Sequence, residues 1–178
     1  MDVELRTPRL LLRRQRDDDR PAVLAGFNDW EVARWLTRVP YPYTDADLDE
    51  WWARPKPIAV GQAHFAIDFP GVGMVGDISL VDDLGYWLAR QYHGHGYMTE
   101  ACVAVLDWHF AARPGAVVSS GYHAGNAASA KVQRKLGFVE TGERPMKLVR
   151  SQHKEVEHVG TTLTRAQFQA SPAMQGRV

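Results

Sequence analysis

"GYWLARQYHGHGYMTEA", Gly85 to Ala101, carries the change of pattern on which the fold turns. "GYWLA" (85–89) reads as a short strand, and glycines follow at 94 and 96. From Met98 onward, Ala101, Cys102, Val105, Leu106 and His109 recur at the i, i+3, i+4, i+7 spacing of an amphipathic helix. A strand, a glycine turn and a helix in that order suit an anion. Glycine lets the backbone come close, and the first helical N–H groups face the ligand with the positive end of the dipole behind them. Three readings stand open at this point: a phosphate cradle, a metal site on His93 and His95, or a tight turn that needs glycine only for its dihedrals. A P-loop requires Lys-Ser/Thr after the last glycine, and Tyr97-Met98 stand there. A dinucleotide fingerprint requires a third glycine where Thr99 stands. A metal site needs three or four convergent ligands. His123, His153 and His158 make no ligand-spaced cluster with the first pair, so no metal is expected.

Outward from this stretch, strands and helices interleave. Upstream, "RLLLRR" (9–14) reads as a first strand, "DDDRPAVLAGF" as a helix start, "DWEVARWL" (29–36) as a helix capped by Asp29, and "TDADLDEWW" as a helix opened by Thr44 with Asp47 three residues on. "AHFAIDF" (63–69) and "MVGDISLV" (74–81) form a hairpin across "PGVG". Downstream come a strand at "AVVSSGY" (116–122), a helix at "NAASAKVQRKLGF" capped by Asn126 and ended by Gly137, and a late strand at "KEVEHVGTTLT". The class is α/β or α+β.

Bulk properties narrow the function. The 178 residues carry 21 basic and 21 acidic side chains, a formal net charge of zero, which does not suggest a nucleic-acid partner. One cysteine excludes an internal disulfide and suits a reducing compartment. No apolar run approaches the roughly 18 residues of a membrane span, and the charged start lacks the pattern of a signal peptide. The expectation is one cytoplasmic domain over residues 1–178, with no membrane or nucleic-acid partner.

Gln91-x-x-Gly94-x-Gly96 resembles the coenzyme A loop of the GCN5-related N-acetyltransferases (GNAT). "GYWLARQYHGHGYMTEA" and "NAASAKVQRKLGFVETGE" together resemble the branch holding the N-terminal acetyltransferases of ribosomal proteins. "TPRLLLR", "VPYPYTDADLDEWW" and "TTLTRAQF" are similar to that branch too. The similarity spans about residues 5–168, leaving 169–178 as a tail.

The resemblance implies a mixed, mostly antiparallel sheet of six or seven strands, splayed into a V between the "GYWLA" and "VVSSGY" strands, with helices on both faces. The pantetheine arm of acetyl-CoA would enter the splay and pair with the backbone of Trp87, Leu88 and Ala89. The pyrophosphate would sit on the N–H groups of Gln91, Tyr92, His93, Gly94, His95 and Gly96 and of the helix opened by Tyr97, Met98 and Thr99, with Asn126, Ser129 and Lys131 on the second helix start. The two histidines would act mainly through backbone. Acetyl would pass directly to a primary amine in a ternary complex. Many members place a tyrosine seven residues after the asparagine to protonate the departing thiolate; Gln133 stands there and cannot. Ser129, which matches a serine of the ribosomal-protein branch, is then the expected donor, with Asn126 at the same helix start.

Glu157, on one face of the late strand with Glu155, is the expected base, while Asp77 and Glu100 are other carboxylates near the cleft. Cys102 falls on a buried stripe and reads as core. Aromatic residues crowd the early helices, and Trp35, Tyr41 and Tyr43 are the expected acceptor contacts, for a peptide N-terminus or a small amine. The acidic run Asp45, Asp47, Asp49 and Glu50 reads as a solvated face. Monomer and homodimer both stay open. A coenzyme A-binding regulatory module with little catalysis is the competing function, and a nucleotide-binding protein using the same cradle a more distant one.

Overall fold

The computed structural model describes residues 3–54 and 59–176. In chain order the strands are β1 (Leu5–Arg6), β2 (Leu11–Arg13), β3 (Ala63–Phe69), β4 (Gly73–Leu80), β5 (Leu84–Leu88), β6 (Val117–His123), β7 (Val139–Glu140), β8 (Met146–Val149) and β9 (Lys154–Thr164). The helices are α1 (Arg20–Phe27), α2 (Trp30–Ala33), α3 (Asp45–Ala53), α4 (Tyr97–Ala112), α5 (Ala127–Leu136), α6 (Arg165–Gln169) and α7 (Pro172–Gln175). Strands β1 to β5 form one antiparallel sheet in sequence order. A second sheet runs β6–β9–β7, with β8 also paired to β9.

Alternation along the strands divides the core in two. Phe65, Ile67 and Ile78 face one way and pack with Ala101, Cys102, Val105 and Leu106 of α4 and with Leu136 of α5. Ala66, Met74 and Trp87 face the other way, toward Val23 of α1, Val32 of α2 and Leu48 of α3. Gly26 lets the Trp87 indole lie directly on α1: an added Cβ there would stand 2.2 Å from the ring. A buried ion pair anchors the same layer. Arg13 donates bidentately to Asp19 at 2.8 Å and also to Asp68 at 3.2 Å, and both Arg13 and Asp19 are only 4% exposed. The fork-to-fork geometry satisfies both charges where desolvation would otherwise be costly.

Most elements lie where the residue pattern places them. The Thr44–Asp47 capping box opens α3, and Asn126 and Gly137 bound α5. Strand number exceeds the expected six or seven because the two-residue β1 and β7 and the four-residue β8 leave no periodic signal. The expected helix over 29–36 is a single turn at Trp30–Ala33, capped as expected by Asp29. Carbonyls at its end are also bound from across the chain: Ser151 Oγ donates to Ala33 O at 2.9 Å, and Gln152 Nε2 to Arg34 O at 2.6 Å. The expected tail from 169 is not loose over its described part. Ala173 and Met174 of α7 pack against the core, and Ser171 is buried; residues 177 and 178 lie outside the described residues.

At the last pair of the β6–β9 ladder, the rings of His123 and His158 meet at 5.2 Å, and Thr37 hydrogen-bonds His123 Nε2 at 3.0 Å. Burial first, then the charge of Lys147 and the neighbouring His123, push the His158 imidazole down to about 4; burial also lowers His123. A histidine depressed in the fold binds a proton more readily when unfolded. Its stabilising contribution is therefore complete above the unfolded value near 6.5 and is lost as pH falls toward 4. We expect the melting temperature to drop across this interval, and His158→Gln to flatten that part of the profile. Scanning calorimetry between pH 7 and 4 checks both.

Candidate active site

Strands β5 and β6 lie side by side but share no backbone ladder. At one end a chain of side-chain hydrogen bonds rivets them. Ser120 Oγ donates to Leu84 O at 2.7 Å, Gln133 Nε2 donates to Ser120 Oγ at 3.1 Å and to Gly121 O at 2.9 Å, and Thr161 Oγ1 donates to Gln133 Oε1 at 2.6 Å. Beyond this rivet the strands part. In an antiparallel ladder alternate residues bond to the neighbour. Ala89 N–H donates to Val75 O at 2.8 Å, so Ala89 and Trp87 turn their backbone groups toward β4. Tyr86 and Leu88 turn theirs into the gap. The expectation that Trp87, Leu88 and Ala89 all have backbone free for a ligand is corrected accordingly: Trp87 and Ala89 turn theirs to β4, whereas Leu88 and Tyr86 face the gap.

The turn after β5 is built for close approach. Gly94 and Gly96 both have φ of +81°, and nothing crowds a Cβ at Gly94, so glycine is required there for conformation and not for space. Gly96 is the N-cap of α4 and offers no side chain to its first N–H groups. The loop is held from outside by the "TPR" segment. Glu100 accepts from Thr7 Oγ1 at 2.6 Å and from Arg9 Nε at 2.6 Å, and Arg9 Nη1 donates to His95 O at 3.0 Å. Burial opposes the charge on Glu100, but Thr7 and Arg9 outweigh it and hold the carboxyl below its usual range. Glu100 is thus a brace. His93 Nε2 lies 2.7 Å from Leu88 O; a carbonyl only accepts, so that nitrogen carries the proton and the ring is turned back onto β5. His95 stacks on Tyr97.

A cavity of about 380 Å³ opens here, within the size range of small-molecule sites. It passes through the sheet: α2 lines it from one face, and α4 and α5 from the other. Of the expected cofactor residues it is lined by Trp87, Leu88, Tyr92, His93, Gly94, Gly96, Tyr97, Met98, Thr99 and Lys131. Ala89, Gln91 and His95 do not line it, nor do Asn126 and Ser129 directly.

The acetyltransferase (GNAT) domain model matches residues 9–139, which includes the whole of this cradle. The chain belongs to the GNAT acetyltransferases. It is 25% identical over 138 residues to a Bacillus subtilis (strain 168) protein provisionally named ribosomal N-acetyltransferase YdaF, covering 72% of this chain and 75% of that one. Two solved structures share the fold. The ribosomal-protein-S5-alanine acetyltransferase of Vibrio fischeri superposes with a TM-score of 0.72 at 21% identity, over 94% of this chain and 99% of that one. Mycobacterium smegmatis RimJ in complex with CoA-disulfide superposes with a TM-score of 0.71 at 20% identity, over 97% and 90%. Family membership assigns the reaction: acetyl transfer from acetyl-CoA to an amine. The open edge of β5, the paired glycines and the α4 N-terminus fit that substrate, with Lys131 and Lys135 beside them.

Within this GNAT site the polar chemistry is rearranged. Gln133, at the position where the resemblance implies tyrosine, is 1% exposed and makes three hydrogen bonds of the rivet. A tyrosine arrives from another element. Tyr86 of β5, which lines the cavity, meets Ser129 of α5 with its hydroxyl 2.9 Å from Oγ. Burial holds the Tyr86 phenol above its usual range, so it stays protonated at neutral pH. Asn126 Oδ1 caps α5 by accepting from Ser129 N–H at 3.1 Å, which fixes the serine backbone.

Of the residues expected as base or acceptor contacts, three are not brought to the cavity either. Glu157 shares a face of β9 with Thr161, and it pairs with Arg144 at 3.4 Å outside the cavity. Tyr43 is 7% exposed and is bound to the core by Phe27, edge-on at 4.9 Å; burial pushes its phenol up to about 12. Tyr41 packs edge-on against Trp30 and does not line the cavity. Trp35 does, next to Glu31, Val32 and Leu36, which the sequence reading passed over. The signal was available as two i, i+4 pairs, Glu31 with Trp35 and Val32 with Leu36. Cys102 is fully buried, and burial raises its thiol far above the usual range, which removes it as a nucleophile.

Alanine at position 96 has to adopt φ near +81°, a cost of about 1–2 kcal/mol. We expect Gly96→Ala to weaken CoA binding about tenfold, read by titration calorimetry. An unchanged affinity would remove this loop from the cofactor site.

Proposed function

We propose that this enzyme acetylates the amino terminus of a protein, a ribosomal protein being the class named for its relatives. The observation that carries the reading is the passage through the sheet, with a cofactor cradle on one face and an acceptor wall, Val32, Trp35 and Leu36, on the other. Two substrates can then meet inside the sheet without a covalent enzyme intermediate. A ribosomal acceptor places the work in the cytoplasm; among the described residues no helix is long and apolar enough to cross a membrane.

The chemistry follows from the groups present. An α-amino group has a pKa near 8 and a lysine amine near 10.4, so the neutral nucleophile is reached with less help at a chain terminus. Its lone pair attacks the acetyl carbon, and the nitrogen, cationic once the C–N bond has formed, releases a proton to water. The Leu88 N–H, facing the gap, is the donor suited to the oxyanion. The C–S bond then breaks, and the thiolate takes a hydrogen bond from the Ser129 hydroxyl, which Tyr86 orients. The Tyr86–Ser129 pair, in place of a tyrosine at position 133, favours catalysis over a purely CoA-binding module.

The test is thiol release from acetyl-CoA across peptides with N-terminal Ser, Ala and Met, aminoglycosides, polyamines and free amino acids. Turnover confined to the peptides supports the reading, and turnover confined to a small-amine class would replace it. Ser129→Ala should lower kcat by about ten- to a hundredfold with little change in the KM for acetyl-CoA, and Tyr86→Phe should follow it more weakly. Full activity in both variants would sink the assignment of the pair.

A further inference from the structure

We infer that Glu31 is the residue that recognises the positive charge of the acceptor, an inference that rests on the acetyl-transfer reading above. Among the described residues lining the cavity, Glu31 is the one carboxylate; Lys131, Lys135 and the glycine turn supply the opposite polarity. The two polarities sit on opposite faces of the sheet, since Glu31 belongs to α2 and the lysines to α5. A tetra-anionic cofactor and a cationic amine are thereby each offered their complement.

Hydrogen bonds hold Glu31 in place although α2 is one turn long. Asp29 Oδ1 accepts from the Glu31 N–H at 2.9 Å. The turn at Arg150–Gln152 binds the carbonyls that follow, through Ser151 to Ala33, Gln152 to Arg34 and the Arg150 N–H to Thr37 at 3.1 Å. The Glu31 carboxylate itself is only loosely matched. Arg34 reaches it at 3.4 Å, with the Arg34 guanidinium drawn over the Trp35 ring at 4.7 Å from the centroid. An arriving ammonium can therefore take the carboxylate at small cost, flanked by the apolar Val32 and Trp35. Glu157, which the residue pattern suggested for an acid-base role, is bound elsewhere by Arg144.

Glu31 acts as a positioning residue. The amine binds as its cation and loses a proton to water; the neutral nitrogen then forms the C–N bond while the C–S electron pair leaves on sulfur, and the nitrogen's second proton also passes to water, leaving the amide and the thiolate. A binding role predicts a specific kinetic split. With an alanine-initiated peptide as the probe, Glu31→Gln should raise the acceptor KM about tenfold. The KM for acetyl-CoA and kcat should stay within about twofold. Glu31→Asp should recover part of the loss. Added NaCl should raise the acceptor KM of the native enzyme but not of Glu31→Gln. Glu50→Gln, which removes an equal charge on α3 outside the cavity, should behave as the native enzyme. An unchanged acceptor KM in Glu31→Gln, or a change confined to acetyl-CoA, overturns the inference and leaves acetyl transfer standing. Absence of transfer by the native enzyme to any amine overturns the reading and the inference together.

Discussion

The interruption of the backbone ladder between β5 and β6 governs the rest of the molecule. Unpaired backbone groups at a sheet edge are costly when buried and adhesive when exposed. Here the edge is kept open over Tyr86 and the Leu88 N–H, and closed by side chains at Leu84 and at the Leu88 carbonyl. The rivet through Ser120, Gln133 and Thr161 determines where the splay begins, which explains why a fully buried glutamine is used there. A tyrosine at 133 has a single proton to donate and could not make both donor links, to Ser120 and to Gly121, that Gln133 makes.

Two buttresses keep the opening in shape. On the α1–α3 face, Trp87 rests on Gly26 and Phe27, so the strand that carries the open edge is fixed from behind. On the α4 face, Arg9 and Thr7 grip Glu100, and Arg9 also holds the His95 carbonyl inside the glycine turn. The "TPR" segment thus has a mechanical meaning: it ties the first strands to the glycine turn. His93 ties the same loop back to Leu88 through its ring. The outcome is a set of N–H donors held in place before any ligand arrives, which is what lets backbone dipoles stabilise charge without reorganising.

Much of this was readable in the residues. The glycine pair, the α4 stripe, the capping box at Thr44 and the Asn126–Gly137 limits of α5 are local signals, and each lies where the spacing places it. These signals left the cradle as one of three open readings, and the resemblance to the acetyltransferase family chose among them. What escaped depends on contacts far apart in sequence. Tyr86 meets Ser129 across 43 residues, so nothing local marks it. Tyr43 looks like a pocket aromatic and is core, because Asn28 binds its backbone at both ends and turns the ring inward. Glu157 was given the correct strand face by period two, but periodicity does not say which face meets the cavity. The short strands β7 and β8 are held by β9 and carry no pattern of their own.

The account stands on the claim that the pantetheine arm pairs with the open edge of β5. Amide hydrogen exchange measured by NMR, with and without CoA, addresses it most directly. The Leu88 and Tyr86 amides should exchange readily in the free protein and become strongly protected in the complex, while the Ala89 amide, already bonded to Val75, should change little. Binding of CoA without new protection at Leu88 and Tyr86 would contradict the account.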